Sequence, residues 1–212
     1  MTYPLVSIII PYRINRGYLN KAIASIHQQT YPGAIEIIES NHDASVSYNL
    51  NQGIKASSGE FIKYLCEDDY LPRNSIKDSV EGMKDYDFIN GNAVAIYMEG
   101  MHAGKHLDYI PERTNPTFKQ LVMYNSIHGG SLMYRRDVFD KIGFFDETID
   151  CAEEYEFNMR CLYNDLKIGY VNSFLYFYRR HGEQKSLGNG VNKMERQFKI
   201  YGIRERYSNK KT

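Results

Sequence analysis

The stretch that decides the fold is an apolar segment that runs directly into three acids, Phe61-Ile62-Lys63-Tyr64-Leu65-Cys66-Glu67-Asp68-Asp69. Residues 61–65 are rich in aromatic and branched side chains, which predicts a buried strand that ends where the acids begin. Upstream, residues 5–10 and 35–38 predict two further strands, and apolar residues at helical spacing predict helices at about 19–26 and 45–56. This β-α-β-α-β alternation predicts an α/β fold with a parallel sheet and helices on its faces.

Downstream of the acids the pattern is less regular. Residues 99–116 show little periodicity and hold two glycines and two prolines, so we predict a long loop there. Open sheets of this kind bind ligands at the carboxyl ends of their strands, where polar residues are therefore candidates for function. The other elements expected are helices at about 71–84, 118–123, 136–142, 154–163 and 192–206, and strands at about 87–98, 131–134 and 168–178.

Length and composition argue against several classes of protein. The 212 residues suffice for one α/β domain with a full core. With 26 basic and 26 acidic residues the formal net charge is zero, which argues against a nucleic-acid binder. No stretch approaches the ~20 apolar residues of a membrane span. The three cysteines lack a CxxC spacing and favour reduced thiols, so we expect a cytoplasmic protein.

The acidic triplet Glu67-Asp68-Asp69 is the strongest candidate for a binding site. Three adjacent carboxylates repel one another and gain nothing from a core, so their place at a strand end indicates a cation. Mg²⁺ and Mn²⁺ prefer oxygen ligands and typically bind one or two carboxylates together with substrate phosphates. A solvated acidic turn is the alternative, and the apolar strand before the triplet favours the metal site over it.

A second acidic pair, Glu153-Glu154, opens a predicted helix. Acids in a first helical turn are favoured by the helix dipole, so capping alone would explain them. The functional interpretation is that one carboxylate points into a cleft and acts as a general base toward a hydroxyl group. The residues alone leave both interpretations open.

Two further strand ends carry polar residues. Tyr178-Arg179-Arg180-His181 follows the last predicted strand, where a histidine would complete a metal site and basic residues would hold a pyrophosphate. Pro11-Tyr12-Arg13 ends the first strand, where the tyrosine ring would stack on a base. Ordinary surface turns are the alternative at both places.

In order and spacing these motifs resemble family 2 of the inverting glycosyltransferases, which have the GT-A fold. The family's Val-Asp-Asp-Gly-Ser after the second strand is replaced here by residues 39–45, so that Glu39, Asn41 or Asp43 would make the nucleobase contact. The resemblance covers roughly residues 4–186 and rests on Pro11-Tyr12-Arg13, Gln29-Thr30-Tyr31, Asn51-Gln52-Gly53-Ile54, Gly59-Glu60-Phe61-Ile62, Glu67-Asp68-Asp69, Gly143-Phe144-Phe145-Asp146-Glu147, Glu153-Glu154 and Tyr178-Arg179-Arg180-His181.

The resemblance implies a Rossmann-like, mostly parallel central sheet flanked by helices. It implies a nucleotide-sugar half at about 1–98, an acceptor half at about 99–190 and a helical tail at 191–212. The implied activity moves a sugar from a nucleotide-diphosphate sugar, a UDP-sugar by preference, to a hydroxyl of a glycan or glycoconjugate. The implied cofactor is Mn²⁺ or Mg²⁺.

The resemblance also assigns roles to single residues. Glu154 would be the catalytic base, and Asp69, Glu67 and His181 the metal ligands. The segment 99–116 and the turn at 128–130 are candidates for the acceptor side. The donor contacts implied are Pro11, Tyr12, Arg13, Glu39, Asn41, Asn51, Asp68, Arg179 and Lys185.

Two interpretations from other classes stay open. A catalytically weak nucleotide-sugar or sugar-binding module would keep the fold and lose the acids, whereas both acidic motifs are present here. A metal-dependent nucleotidyltransferase would carry a glycine-rich basic loop after the first strand, whereas residues 13–17 hold one glycine. The chain also resembles the catalytic domain of larger modular transferases, so further domains of a longer chain are expected partners.

Overall fold

The structure, a computed structural model, describes residues 2–99, 102–111, 114–149, 151–182, 184 and 193–208. The strands in these residues are β1 (Val6–Tyr12), β2 (Ile35–Asn41), β3 (Phe61–Tyr64), β4 (Phe88–Tyr97), β5 (His106–Tyr109), β6 (Met133–Arg135) and β7 (Ile168–Arg180). The helices are α1 (Leu19–His27), α2 (Val46–Ala56), α3 (Ser75–Met83), α4 (Phe118–Met123), α5 (Asp137–Ile142), α6 (Glu153–Tyr163) and α7 (Lys193–Ser208), and a 3₁₀ turn spans Gly129–Ser131. None of these described helices combines the length and the apolar composition that a bilayer crossing requires.

The strands form one sheet that is parallel in its N-terminal part and mixed beyond it. β1 lies between β2 and β3 and is parallel to both. β6 runs antiparallel between β3 and β4, and β7 is parallel to β4 from Phe88 to Tyr97, with register shifts on both sides of Asn92. The predicted α/β fold with a central sheet flanked by helices is confirmed, and β5 and β6 are its antiparallel members.

β4 shares one of its edges between two strands. β7 occupies one edge from Phe88 to Tyr97, β6 pairs with Phe88 and Ile89, and β5 pairs with residues 93–96. Since a strand has two edges, β6 and β5 follow each other along the second one. The 3₁₀ turn lies in the gap between β6 and β5, where the backbone N–H of Gly91 in β4 donates a hydrogen bond to Ser131 Oγ (3.2 Å).

The alternation of side chains along β1 divides the core between the two faces of the sheet. Ile9 faces the layer of α2, α4, α5, α6 and α7, whereas Ile8 and Ile10 face the layer of α1 and α3. All three are fully buried, and burial of such a side chain stabilises the fold by about 1.5–3 kcal/mol. With both faces covered, a ligand reaches the sheet at its strand ends.

Two predicted elements differ from the structure. The loop predicted at 99–116 contains β5, which is exposed along its length and pairs with β4. Leu107 and Tyr109 alternate with His106 and Asp108, but this pattern spans only four residues, which is too short to identify a strand inside a glycine- and proline-containing segment. The strand predicted at 131–134 starts as the 3₁₀ turn and continues as β6. Ser45 caps α2 as predicted and accepts a hydrogen bond from the backbone N–H of Tyr48 (3.1 Å).

Candidate active site

The acidic turn that follows β3 is held by β7. The backbone N–H of Asp69 donates to the carbonyl of Cys66 (3.1 Å) and closes the turn. The Asp69 side chain is 2% exposed. Its Oδ1 accepts a hydrogen bond from the backbone N–H of Arg179 (2.8 Å), and its Oδ2 accepts one from the hydroxyl of Tyr176 (2.7 Å). Two residues of β7 therefore fix both carboxylate oxygens of Asp69.

The environment of Asp69 favours a bound cation. Burial raises the pKa of Asp69 well above its usual range, and the charge of Asp68 raises it further. The hydrogen bonds from Tyr176 and Arg179 oppose this rise. A buried carboxylate beside a second one is costly without a counter-ion, so a cation at this turn would stabilise the ionised form.

The ligand atoms at the turn fit a hard divalent cation. Carboxylate oxygens of Asp68 and Asp69 and the Sγ atom of Cys66 lie within 4.8 Å of one another. Each Asp69 oxygen has a second lone pair beyond the hydrogen bond that it accepts. Burial raises the pKa of the Cys66 thiol well above its usual range, which favours the neutral thiol. Two neighbouring carboxylates match the preference of Mn²⁺ and Mg²⁺, which typically take one or two carboxylates together with phosphate oxygens.

Glu67 and His181 are placed outside this group of ligand atoms. Glu67 Oε1 accepts a hydrogen bond from Arg16 Nη1 (3.0 Å), and within the described residues Asp68, rather than Glu67, lies beside Asp69. His181 Nε2 lies 3.1 Å from Asp68 Oδ2, so the histidine contacts the site through Asp68. Successive side chains of a tight turn point in different directions, and for this reason the whole triplet does not converge.

Arg179 supports the acidic turn from within the protein. Its side chain is 1% exposed, and Nη1 donates to the backbone carbonyl of Asp68 (2.8 Å). The guanidinium carbon lies 4.8 Å from the ring centre of Tyr18 and 5.0 Å from that of Tyr70. These contacts enclose the guanidinium under the turn, and its predicted contact with the donor stays a prediction.

The ends of β1 and β2 bring several predicted donor residues together. The parallel register places Pro11 beside Ser40 and Tyr12 beside Asn41. The hydroxyl of Tyr12 donates to Glu39 Oε2 (2.9 Å), and Asn41 Nδ2 donates to the carbonyl of Tyr12 (3.1 Å). These residues form a polar strand end, and their contact with a nucleotide stays a prediction.

This strand end adjoins the acidic turn. Burial, the hydrogen bond to Glu39 and the charges of Glu39 and Glu67 all raise the pKa of Tyr12. Arg13 continues the edge and forms an exposed ion pair with Asp43 (Nε to Oδ1, 3.3 Å). A nucleotide lying across β1 and β2 would therefore extend toward Asp68 and Asp69.

Asn51 is held within the core. It is buried on α2, where its Nδ2 donates to the carbonyl of Phe145 (2.9 Å) and to Glu147 Oε1 (2.8 Å). Its Oδ1 accepts from the backbone N–H of Phe145 (3.0 Å). These bonds hold the turn after α5 and leave the predicted donor contact of Asn51 without support. Lys185, the remaining predicted donor contact, lies outside the described residues.

Glu154 lies in the first turn of α6 and close to the end of β3. An added Cβ on Gly129 would fall 2.7 Å from Glu154 Cγ and 2.7 Å from Tyr64 Oη, so Gly129 lies against both side chains. Burial raises the pKa of Tyr64 well above its usual range, and the charge of Glu154 adds to this. Tyr64 is the last residue of β3, which places Glu154 at the strand end that leads into the acidic turn.

The Gly129–Ser131 turn connects the two acidic motifs. On one side Gly129 contacts Glu154. On the other side an added Cβ on Gly130 would fall 2.4 Å from the ring of Tyr176, whose hydroxyl donates to Asp69. Asp69 and Glu154 therefore lie at the same end of the sheet, separated by one turn and one aromatic ring.

The β4–β5 hairpin reaches the same turn. The ring centre of Tyr109 lies 5.3 Å from that of His128, which lies 5.4 Å from that of Tyr178. Burial, with a contribution from the charge of Lys63, lowers the pKa of His128 to about 4, so the ring is neutral at pH 7. Tyr109, from the predicted segment 99–116, thus lies against His128 at the start of the turn that contacts Glu154.

Three residues of this site were not indicated by the sequence motifs. Tyr64 and Tyr176 belong to apolar strands, and nothing local indicates that their hydroxyls lie beside Glu154 and Asp69. Lys63 offered a signal, since a charged side chain in the middle of an apolar strand needs a partner when it is buried.

A family model described as glycosyl transferase family 2 matches residues 33–143 of this chain. The chain is 29% identical over 214 residues to an uncharacterized glycosyltransferase of Rickettsia felis, covering 86% of this chain and 35% of that protein. It is 26% identical over 217 residues to the minor teichoic acid biosynthesis protein GgaA of Bacillus subtilis, covering 86% and 49%. The chain therefore spans between a third and a half of the length of these relatives.

Solved structures show the same fold. Residues 1–349 of S. aureus TarS, in a crystal structure with UDP-GlcNAc, superpose with a TM-score of 0.72 over 100% of this chain and 68% of that chain. The sequence identity is 14%, so this likeness establishes the GT-A fold alone.

Proposed function

The chain belongs to glycosyltransferase family 2, and on that premise we propose that it transfers a sugar from a UDP-sugar to a hydroxyl of a glycan or glycoconjugate acceptor. The transfer inverts the anomeric carbon and depends on Mn²⁺ or Mg²⁺. The observation that carries this proposal is the placement of Asp69 and Glu154 at one strand end, connected through Tyr176 and the Gly129–Ser131 turn.

A UDP-sugar is favoured as donor by two observations. The TarS structure with the same fold was solved with UDP-GlcNAc. The paired ends of β1 and β2 offer Tyr12, Glu39 and Asn41 to a base and ribose, next to the carboxylates of the acidic turn. In this proposal the nucleotide sugar occupies the half at about 1–98 and the acceptor the half at about 99–190, with 191–212 as a tail.

The arrangement suits a direct displacement. The acceptor oxygen forms a bond to the anomeric carbon while the bond from that carbon to the diphosphate oxygen breaks, and Glu154 takes the acceptor's proton. Attack from the side opposite the leaving diphosphate inverts the anomeric centre. A divalent cation held by Asp68 and Asp69 would neutralise the charge that develops on the departing UDP.

The test compares Glu154→Gln with the wild-type protein and with a matched control, Glu195→Gln, which changes an exposed acid of α7 that pairs with Lys199 (3.0 Å). The wild type is incubated with Mn²⁺ and a panel of UDP-sugars and acceptors, and released UDP and product anomer are measured. Because a general base contributes about 10²–10⁴-fold, we expect Glu154→Gln to lose activity by that factor while it still binds UDP.

Three results would contradict the proposal. Near wild-type transfer by Glu154→Gln would exclude it as the base, and a product with the donor's anomeric configuration would exclude inversion. Tight metal-independent UDP binding without turnover of any sugar would instead favour a sugar-binding module. The Glu195→Gln control is expected to transfer sugar at the wild-type rate.

A further inference from the structure

Lys63 is a buried lysine at the point where two strands separate. β3 and β6 are paired through Phe61 and Ile62, which lie opposite Arg135 and Tyr134. The next residue of β3, Lys63, is fully buried, and its Nζ donates to the carbonyls of Gly130 (3.1 Å) and Leu132 (3.2 Å). The amine therefore spans the gap that opens between β3 and the chain entering β6.

A buried amine at this position costs free energy that an apolar side chain would not. Lysine is almost never fully buried unless it is paired, and among the described residues no ion pair reaches Lys63. Burial lowers the pKa of Lys63 to about 7, so proton loss near neutral pH relieves part of this cost. The side chain's observed role in the structure is to donate to the two carbonyls.

The segment that Lys63 holds is the one between the two acidic motifs. Gly129 contacts Glu154 and Gly130 contacts the ring of Tyr176, both without room for a side chain. A shift of the turn would therefore move Glu154 or Tyr176, and Tyr176 donates a hydrogen bond to Asp69.

Hydrogen bonds of Ser131 hold the same turn from the side of β4. Ser131 Oγ accepts from the backbone N–H of Gly91 (3.2 Å) and donates to the carbonyl of His128 (2.8 Å). Lys63 on β3 and Ser131 facing β4 thus anchor the turn to the two strands between which it lies.

We propose that Lys63 is a positioning residue for sugar transfer, which sets the separation between the base and the cation-binding acids by holding the Gly129–Leu132 segment. This role rests on the proposed glycosyltransferase function. It requires no contact of Lys63 with substrate. Its effect should therefore fall on the rate of transfer and leave nucleotide binding unchanged.

The test is Lys63→Met, which nearly keeps the volume of the side chain, shortens it by one atom and removes both hydrogen bonds to the turn. Because a misplacement of about 1 Å costs about 10²-fold in rate, we expect kcat of transfer to fall by about 10–100-fold. The KM for the donor and the Kd for UDP with Mn²⁺ should change by less than about twofold. The surface substitution Lys141→Met is the matched control and should change neither.

Two further measurements guard against a simple folding defect. Hydrogen exchange should accelerate at the amides of Ser131 and Leu132, which are hydrogen bonded within the turn, while the amides of α1 stay protected. Ser131→Ala leaves Lys63 in place and loosens the same turn, so we expect a smaller loss of kcat, about 3–10-fold, again with UDP binding unchanged.

The possible outcomes separate this proposal from the one on which it rests. A wild-type protein without any sugar transfer overturns the proposed function and this role together. A wild type that transfers sugar, with Lys63→Met within about twofold of it, overturns the role of Lys63 alone. The role of Lys63 is also overturned if Lys63→Met loses kcat and UDP affinity by equal factors. It is overturned as well if hydrogen exchange in the turn does not change.

Discussion

The two sides of the proposed cleft are built in opposite ways. On the cation side, Asp69 is buried, β7 holds both of its oxygens, and Arg179 is enclosed beneath the acidic turn. On the acceptor side, the β4–β5 hairpin is an exposed edge, where Leu107 and Ile110 are 54% and 58% exposed. Groups fixed in advance stabilise developing charge without rearranging, whereas exposed loops adapt to a ligand. Under the proposed function, we therefore expect the rate of transfer to depend on the first side and the affinity for the acceptor on the second.

The largest expected effect that would break this division comes from Asp69→Asn. Stabilisation by a metal ion amounts to several kcal/mol of charge neutralisation, and we expect kcat to fall by about 10²–10³-fold. Mn²⁺ binding, measured by calorimetry in the presence of UDP, should weaken in parallel. Asp137→Asn, on the exposed surface of α5, is the control and should keep both. Full activity of Asp69→Asn would place the cation elsewhere.

A smaller effect, which changes gradually with pH, is expected on the affinity for Mn²⁺. A cation binds the ionised carboxylate, and burial raises the pKa of Asp69, so protons compete at a higher pH than for an ordinary aspartate. As pH falls below that raised pKa, Mn²⁺ affinity should decrease by up to about tenfold per pH unit, and binding should release protons. Calorimetry in buffers of different ionisation enthalpy measures both. Binding that stays constant down to the usual pKa of aspartate would contradict this reading of the cation side.

The smallest expected effect is that of a substitution on the acceptor side, in β5. Tyr109 lies on β5 and packs edge-on against His128 beside Glu154. An aromatic contact contributes about 0.5–1.5 kcal/mol, so Tyr109→Ala should raise the KM for the acceptor by about 2–10-fold and leave the KM for the donor unchanged. Tyr3→Ala, at the opposite end of the strands, is the control. A change in donor KM alone would show that the hairpin serves the nucleotide side.

Much of the fold was predictable because it follows from local patterns. The strands at residues 5–10, 35–38 and 61–65 are short runs of branched and aromatic side chains, and the helices between them bury one face at helical spacing. Ser45 caps its helix through a residue three positions away. The exposed strand β5 was missed because its alternation covers only four residues and because its pairing partner, β4, lies in another part of the chain.

The candidate site was predictable as a set of motifs, though not as a geometry. The sequence by itself determined that acids follow β3 and open α6, because these positions are set by neighbouring residues along the chain. The tertiary structure decided three further features. Asp68, rather than Glu67, lies beside Asp69, Asn51 holds a core turn, and Lys63 holds the Gly129–Leu132 segment. Asp69 accepts hydrogen bonds from Tyr176 and Arg179, which lie 107 and 110 positions away along the chain. Side-chain directions in a turn depend on such distant partners, which no local pattern specifies.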